Sequence, residues 1–406
     1  MWYDSNMPCV INPYGRVVPI DDPKEYERWL AEPGFVKATK EQEAQFVRER
    51  MIMIKQMSEP TDNKDGIYLA TVTQGGKDGY SRASVCLTRE LEDLGIPVKT
   101  HYSGQKVALL FHNPYSILRL ESPYRIIYTM FESDKIPDDW KEYLEAADLV
   151  LVPSRWCQSV FAKAGIASTV VPLGYDQTVF KYFERPKRRK ERQNFTFLHY
   201  DAFNIRKGFP EVFKAFVKAF QKDEPVRMIF KTRLDRRPLP ITASEYPNIE
   251  IIEGKKTEVE LVEIINRSDC FVFPSRGEGF GITPLEAMAT GMPAIVPNAH
   301  GISEYFDPEF MYEVKVEGTC PGLYTKYKGQ DVGNMVVCSV DDLARQMRWI
   351  YEHQDEARKM GKKASEYAQG WTIRKSAEKL KEIITEVLNN PVPDHPLRNV
   401  LSLDPV

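Results

Sequence analysis

Histidine and cysteine are scarce in this sequence, and neither is clustered. The chain has six of each, without a C-x-x-C pair and without a group of histidines close by. This distribution argues against a structural zinc site and favours free thiols in a reducing compartment. We therefore expect a protein that binds no metal.

Two other features are also lacking. The 55 basic and 58 acidic residues leave a net charge of -3, which is too balanced to indicate bulk binding to a polyanion. No apolar run approaches the about 20 residues that cross a membrane, and the first residues show no signal-peptide pattern. We expect a cytoplasmic protein without a transmembrane segment and leave peripheral contact with a membrane open. The 406 residues suffice for two or three domains.

The most informative stretch is residues 268–305. It begins with an apolar run typical of a buried parallel strand and continues through a loop with alternate glycines, where the backbone can approach a ligand. Thr283 is placed to be the N-cap of a helix that Gly291 ends. The order of strand, glycine loop and helix predicts an α/β sheet. Ligands bind at the strand ends of such sheets, where helix N-termini attract phosphate.

Two glutamates of this stretch can face one cleft, Glu278 from the loop and Glu286 from the first helical turn. Glu286 has an alternative role, because Thr283 and Glu286 have the spacing of a capping box. Glu278 also has an alternative role, that of a charged loop residue exposed to solvent. Packing gives little reason for an acidic residue between two glycines, which favours ligand binding. At this point a structural role and a ligand-binding role stay open for each glutamate.

The segment EGFGITPLEAMATGMP resembles the nucleotide-sugar motif of glycosyltransferase family 4, whose members are retaining enzymes with the GT-B fold. The likeness extends over about residues 66–389 and implies two facing Rossmann-like domains. It implies that Glu278 contacts the transferred sugar and that Glu286 holds the ribose hydroxyls. The resemblance further implies that the backbone amides of Phe280, Gly281 and Ile282, and the helix start at Thr283, bind the donor near its sugar and diphosphate.

A lysine that precedes a glycine near a helix start, Lys207, is suited to hold a diphosphate, although an exposed turn has the same pattern. The resemblance assigns Lys207 to the diphosphate. Relatives usually carry a second cation at the position where this chain has Asp201. We therefore name Arg206 and Lys231 as the residues that replace it in donor binding.

The first half of the chain offers candidates at its strand ends. His112 follows one apolar strand and Glu132 follows the next, and active sites lie at this edge of a parallel sheet. The resemblance favours a position beside the sugar for His112 and leaves the role of Glu132 open. Gly75 and Gly76 follow the first strand and are either turn residues or part of an acceptor-side loop close to phosphate or sugar.

Changes in composition divide the chain. The basic run at 185–192 marks a boundary. Such a run is usually a solvated linker, and a patch for phosphate-rich acceptors or an anionic membrane is the alternative. We predict an N-terminal extension, an acceptor domain and a nucleotide-sugar domain that includes a helix at 258–266. The resemblance implies that the last helix, which a tail follows, crosses back to the acceptor domain. The bounds of these four parts are 1–60, 61–184, 185–372 and 373–406.

The sequence thus predicts a hexosyltransferase-like enzyme that moves a sugar from a nucleotide diphospho-sugar, which is a co-substrate and not a cofactor, to an acceptor hydroxyl. Its predicted catalytic residues are Glu278, Lys207 and His112. The acceptor is left open between a saccharide, a lipid and another hydroxyl compound. Three alternatives remain: transfer to hydroxylated bases of DNA, a sugar-nucleotide epimerase, and a non-catalytic nucleotide-sugar binder. Nothing in the sequence indicates an oligomeric state.

Overall fold

The computed structural model describes residues 66–71, 79–185, 194–202, 204–232, 245–322, 324, 326–327 and 329–390, with short stretches between residues 9 and 42. Two compact units divide the chain, Met1–Lys64 and Asp65–Val406. In the first unit, strands β1 (Cys9–Ile11), β2 (Val17–Pro19) and β3 (Val36–Lys37) form an antiparallel sheet in the order β2-β1-β3. The second unit contains two large parallel sheets.

The first large sheet has six parallel strands in the order β5-β4-β6-β7-β8-β9. These strands are β4 (Ile67–Ala70), β5 (Val98–Lys99), β6 (Val107–Phe111), β7 (Tyr124–Tyr128), β8 (Leu149–Val152) and β9 (Thr169–Val170). Its helices are α1 (Gly79–Asp93), α2 (Trp140–Glu145) and α3 (Arg155–Lys163). Leu109 and Leu110 of β6 lie in different apolar cores. Both faces of the sheet are therefore covered, which explains why β6 is apolar throughout.

The second large sheet has the same design. Its parallel strands run in the order β12-β11-β10-β13-β14-β15. They are β10 (Phe195–Tyr200), β11 (Val226–Lys231), β12 (Ile249–Ile252), β13 (Cys270–Val272), β14 (Ala294–Val296) and β15 (Tyr312–Glu313). Its helices are α4 (Phe209–Ala219), α5 (Glu258–Asn266) and α6 (Ile282–Ala289). Helix α5 starts with a capping box between Thr257 and Glu260, which fixes its first turn.

Each sheet has a point where the strand order reverses. In the second sheet β10 pairs with β11 on one side and with β13 on the other, and in the first sheet β4 pairs with β5 and β6. In open α/β sheets a crevice forms at the carboxyl ends of the two strands that flank such a point, because the following helices lie on opposite faces. In the second sheet the loops after β10 and β13 flank this crevice, and a ligand site is expected between them.

A β-hairpin and three helices follow the second sheet. The hairpin consists of β16 (Val316–Pro321) and β17 (Asn334–Cys338), and the helices are α7 (Val340–Glu352), α8 (Gln354–Ala368) and α9 (Ile373–Asn389). Helix α9 packs on α1 of the first sheet, where Lys381 Nζ donates a hydrogen bond of 2.7 Å to the Leu94 carbonyl oxygen. The chain thus returns to the first sheet after completing the second.

The prediction of an α/β fold with two Rossmann-like sheets is confirmed. The helix predicted at 258–266 is present as α5 with these bounds. None of the described helices is long and apolar enough to cross a membrane. The predicted domain bounds remain predictions.

Candidate active site

The loop after β10 carries two cations, Arg206 and Lys207. They lie in a short 3-10 turn that Asn204 starts, since its side-chain oxygen accepts a hydrogen bond of 3.0 Å from the Arg206 N–H. Gly208 then adopts a φ of 79°, and a Cβ there would lie 2.3 Å from the Pro274 carbonyl oxygen. Only glycine therefore lets this turn close against the loop after β13.

Glu278, in the loop after β13, is the anionic partner of these cations. Its Oε1 lies 2.8 Å from Lys207 Nζ and 3.3 Å from Arg206 Nη1, and it accepts a hydrogen bond of 2.7 Å from the Ser275 hydroxyl. Glu278 is only 7% exposed, so the alternative of a solvated loop charge is wrong. Burial opposes ionisation, but Lys207 and Arg206 hold the pKa of the Glu278 carboxyl well below its usual range.

The Lys207 side chain is only 12% exposed, which contradicts the alternative of an exposed turn. Its Nζ makes a second ion pair of 2.9 Å with Asp201 Oδ2. Burial opposes the charge of the lysine, but Asp201 and Glu278 raise its pKa above the ordinary value. Asp201 thus helps to keep Lys207 charged. The backbone of Lys231, at the end of β11, accepts a hydrogen bond of 3.2 Å from the Asp201 N–H.

Helix α6 places Glu286 in the same cleft. The helix begins at Ile282, and Gly281, with a φ of 85°, is its N-cap without a side-chain hydrogen bond. The prediction of Thr283 as N-cap is therefore wrong. Gly281 takes the N-cap position, and Thr283 lies inside the first turn of the helix. The capping-box role for Glu286 is wrong for the same reason.

The carboxylate of Glu286 has two other partners. Tyr200, the last residue of β10, donates a hydroxyl hydrogen bond of 2.5 Å to Oε2, and Arg82 Nη1 of α1 lies 3.1 Å from Oε1. Burial raises the pKa of this carboxyl, although Arg82 and Tyr200 act in the opposite direction. Glu286 thus joins the two sheets through Arg82.

The alternate glycines of the loop after β13 lie against the segment that follows β7 of the first sheet. A Cβ on Gly277 would lie 2.0 Å from the Glu132 carbonyl oxygen, and a Cβ on Gly279 would lie 2.5 Å from the Met130 side chain. The close approach seen here is to the chain that follows β7 of the first sheet, and the expected approach of these glycines to a ligand stays a prediction. The glycines set the separation of the two sheets at this end of the cleft.

Glu132 lies between this cleft and the hairpin. Its Oε1 is 3.5 Å from Arg206 Nη2, and its Oε2 accepts a hydrogen bond of 2.9 Å from the hydroxyl of Tyr324, which lies between β16 and β17. The Tyr324 ring stacks on Phe131 with ring centroids 4.8 Å apart. A second hairpin residue, Tyr327, accepts a hydrogen bond of 3.0 Å from the Trp140 indole. The hairpin thus reaches from the second sheet onto the first.

His112 and the glycine loop belong to the first sheet. The His112 ring lies 5.2 Å from the Tyr80 ring at the start of α1, and its Nδ1 is buried without a hydrogen-bond partner among the described residues. Gly75 and Gly76 lie outside the described residues. Of the basic run at 185–192 only Arg185 is described, and it is buried, with Nε donating to the Ser268 carbonyl oxygen at 2.9 Å. The linker interpretation does not hold for Arg185.

Sequence reasoning missed several residues of this cleft. Tyr200 and Ser275 stand at or just after the ends of β10 and β13, so the strand-end rule could have found them. His300 is a further one: its φ of 43° is unusual for a residue other than glycine, and its Nε2 lies 2.9 Å from the Ser275 carbonyl oxygen. Burial lowers the pKa of His300 to about 4. Arg82 had no local signal at all.

The charges and loops gather where two Rossmann-like sheets meet, and this arrangement matches the GT-B fold of glycosyltransferases. The solved sucrose-phosphate synthase (tll1590) from Thermosynechococcus elongatus matches with a TM-score of 0.63 over 80% of this chain and 99% of its own, at 14% identity. Anabaena Alr3699/HepE, solved in complex with UDP and glucose, matches with a TM-score of 0.57 over 79% of this chain and 100% of its own, at 13% identity. These likenesses show the fold.

Residues 180–367 match the family model of glycosyl transferases group 1. ORF313, a candidate glycosyltransferase of Acidianus filamentous virus 1, is 24% identical over 278 residues, which are 68% of this chain and 82% of the viral protein. The lipopolysaccharide core biosynthesis mannosyltransferase LpsB of Rhizobium meliloti is 58% identical over 36 residues, 9% of this chain and 10% of LpsB. The chain thus carries a glycosyl transferases group 1 domain, and these matches support glycosyltransferase activity.

Proposed function

We propose that this protein is a retaining glycosyltransferase of family 4 that transfers a hexosyl group from a nucleoside diphosphate sugar to an acceptor hydroxyl. The observation that carries the proposal is the largely enclosed cluster of Lys207, Arg206 and Glu278, whose side chains are 12%, 14% and 9% exposed, at the carboxyl ends of β10 and β13. The N-terminus of α6 lies next to it in the chain. Cations, a carboxylate and helix N–H groups together suit a charged diphosphate and a polar sugar.

In this proposal the second sheet holds the donor. Lys207, Arg206 and the first N–H groups of α6 bind the diphosphate, and Glu286 binds the ribose hydroxyls. Glu278 binds the transferred sugar. The three contacts of Glu278 fall on Oε1, and we assign Oε2 to a sugar hydroxyl. Anabaena Alr3699/HepE, which shares the fold, was solved with UDP-glucose, and a UDP-sugar is therefore the first donor to test.

The chemical step breaks the bond between the sugar and the diphosphate and forms a bond to the acceptor oxygen. The products are the glycosylated acceptor, the nucleoside diphosphate and the proton of the acceptor hydroxyl. Negative charge grows on the leaving diphosphate, so Lys207 and Arg206 act by electrostatic stabilisation and not as bases. In this account the cationic side chains, without a metal ion, balance the charge.

The acceptor enters from the first sheet in this account, beside His112 and Glu132. The contact of Tyr324 with Glu132 holds the hairpin against the first sheet here. In this account, closure of the cleft over the bound substrates keeps out water, which would otherwise hydrolyse the activated donor. The proposal leaves the class of acceptor open between saccharide, lipid and other hydroxyl compounds.

The proposal is tested by incubating the purified protein with UDP-glucose, ADP-glucose, TDP-glucose and GDP-mannose, each without acceptor. We expect slow release of the nucleoside diphosphate from one nucleotide class, and proton NMR should show that the freed sugar first appears with the anomeric configuration of the donor. Appearance of the inverted anomer would contradict retention, and an epimerised sugar nucleotide would assign an epimerase. Release from none of the four donors, together with no binding of any, would overturn the proposal.

A further inference from the structure

Arg82 reaches from the first sheet to the carboxylate that we assign to the donor ribose. It lies in α1, in the turn that follows the glycine loop. Its Nη1 is 3.1 Å from Oε1 of Glu286, whose side chain is 6% exposed. Any molecule that binds Glu286 therefore comes within reach of the Arg82 guanidinium.

The guanidinium has donor capacity left over. Among the described residues, its Nη2 is buried and has no hydrogen-bond partner, and its Nε lies 3.9 Å from Oε1 of Glu258. A buried N–H group without an acceptor destabilises the folded state, and the cost is larger for a charged group. An oxygen of a ligand in the cleft would remove this cost.

The position of the guanidinium is fixed from one side. Its central carbon lies 5.2 Å from the centre of the Phe180 ring, which is 2% exposed. A cation held on an aromatic face keeps its N–H groups in a defined plane. The planar fork of arginine matches two oxygens of a phosphate, which makes Arg82 more suitable for this ligand than a lysine.

The other two cations of the cleft are already neutralised by carboxylates. Lys207 is paired with Asp201 and Glu278, and Arg206 with Glu278 and Glu132. A nucleoside diphosphate adds negative charge to a region where acids surround both cations. Arg82 adds a third cation from the side of the first sheet, and unlike the nitrogens that form these ion pairs its Nη2 has no hydrogen-bond partner among the described residues.

We infer that Arg82 is a donor-binding residue, supplied by the first sheet, whose free N–H group binds a phosphate oxygen of the nucleoside diphosphate held by Glu286. The inference rests on the proposed function and names a residue outside the group 1 domain. If Arg82 binds the diphosphate, donor binding also affects the separation of the two sheets. Because Arg82 and Glu286 belong to different sheets, a diphosphate that bridges them holds the cleft closed, and donor binding is coupled to closure.

The test compares Arg82→Gln with Arg155→Gln. Arg155 is a matched control, because it also joins the two sheets through an ion pair, but it lies in α3 and its partner is Glu304, whose Oε1 is 3.1 Å away. Dissociation constants are measured by calorimetry for UDP, GDP, ADP and TDP, and the tightest of these is then compared with its nucleoside by ligand-detected NMR. We expect Arg82→Gln to weaken the diphosphate at least about tenfold and the nucleoside by less than about threefold, with Arg155→Gln unchanged.

Three results would overturn the inference while the proposed function stands. Equal affinity of wild type and Arg82→Gln for the diphosphate would show that Arg82 does not bind it. Equal weakening by Arg82→Gln and Arg155→Gln would show that Arg82 only holds the sheets together. Equal weakening of diphosphate and nucleoside would show that Arg82 acts only through Glu286. If the wild type binds none of the four diphosphates, the proposed function and the inference both fail.

Discussion

Lys207 and Glu278 form an ion pair of 2.8 Å between the loops after β10 and β13, with side chains that are 12% and 9% exposed. A buried ion pair contributes little to stability on balance, because taking both charges out of water costs about as much as their attraction returns. Removing one partner is costly, since the other charge stays buried. Such a pair at the ends of two neighbouring strands is better explained by ligand binding than by folding.

Lys207→Ala should lower turnover by about tenfold to a hundredfold, because one charged hydrogen bond to the diphosphate is worth roughly 1.5–3 kcal/mol in the transition state. The measurement is the rate of nucleoside diphosphate release at saturating donor. Lys218→Ala is the control, since Lys218 forms an exposed ion pair with Asp341 on the second sheet's helices. Circular dichroism confirms that both variants fold. A folded Lys207→Ala protein that turns over at the wild-type rate would remove the diphosphate role.

Tyr200→Phe should weaken donor binding with little change in turnover at saturating donor. The variant removes the hydroxyl that donates to Glu286 Oε2 at 2.5 Å, and this hydrogen bond lowers the pKa of a carboxyl that burial raises. The pKa of Glu286 therefore rises further in the variant, and less of it is ionised as the pH falls. We expect the ratio of variant to wild-type dissociation constants for the nucleoside diphosphate to grow as the pH is lowered. A ratio that does not change with pH would contradict this coupling.

Gly277→Ala should destabilise the protein and impair activity. Its Cβ would lie 2.0 Å from the Glu132 carbonyl oxygen, a backbone atom that can move only if the two sheets separate. Overpacking of this kind costs about 1–3 kcal/mol, which is visible as a lower melting temperature. Gly318→Ala is the control, because a Cβ there meets none of the described residues within 4 Å. Equal melting temperatures of the two variants would show that this loop tolerates a side chain.

His300→Asn should remove part of the acid sensitivity of the protein. Burial lowers the His300 pKa from 6.5 to about 4. The unfolded chain therefore takes up a proton below pH 6.5 while the folded chain does not, and the stability that neutral His300 contributes is lost as the pH falls from 6.5 to 4. This loss is on the order of 2–3 kcal/mol. Asparagine tolerates the positive φ and does not titrate.

Urea unfolding at pH 7 and at about pH 4.5 measures this difference. Wild type should lose more stability than His300→Asn between the two values, and His199, which is present in both proteins, cancels in the comparison. Identical losses would show that His300 is protonated in the folded protein over this range.

Local patterns predicted much of the fold. Helix α5 was expected at 258–266 and lies at Glu258–Asn266, because its apolar spacing and its Thr257 cap act within a few residues. The loop with Glu278 and the turn with Lys207 were recognised because strand, glycine and helix follow each other along the chain. The structure brings Glu278 and Lys207 together because β10 and β13 are neighbours in the sheet.

Contacts between distant segments could not be predicted in this way. Arg82 meets Glu286 only because α1 and α6 face each other, and Tyr324 meets Glu132 only because the hairpin reaches the first sheet. Neither contact leaves a periodic or spacing signal in the sequence. The N-cap of α6 was misplaced for a related reason: Gly281 and Thr283 are both good helix starts, and the fold of the loop decides between them.

The most direct test of the central claim is the melting temperature of the full chain in the presence of UDP-, GDP-, ADP- and TDP-sugars. A ligand at about a hundred times its dissociation constant adds about 2.7 kcal/mol of stability, which corresponds to a shift of a few degrees. The account predicts such a shift with one nucleotide class for the wild type and a smaller one for Glu286→Gln. The absence of a shift with every sugar nucleotide would contradict the claim that this cleft binds a glycosyl donor.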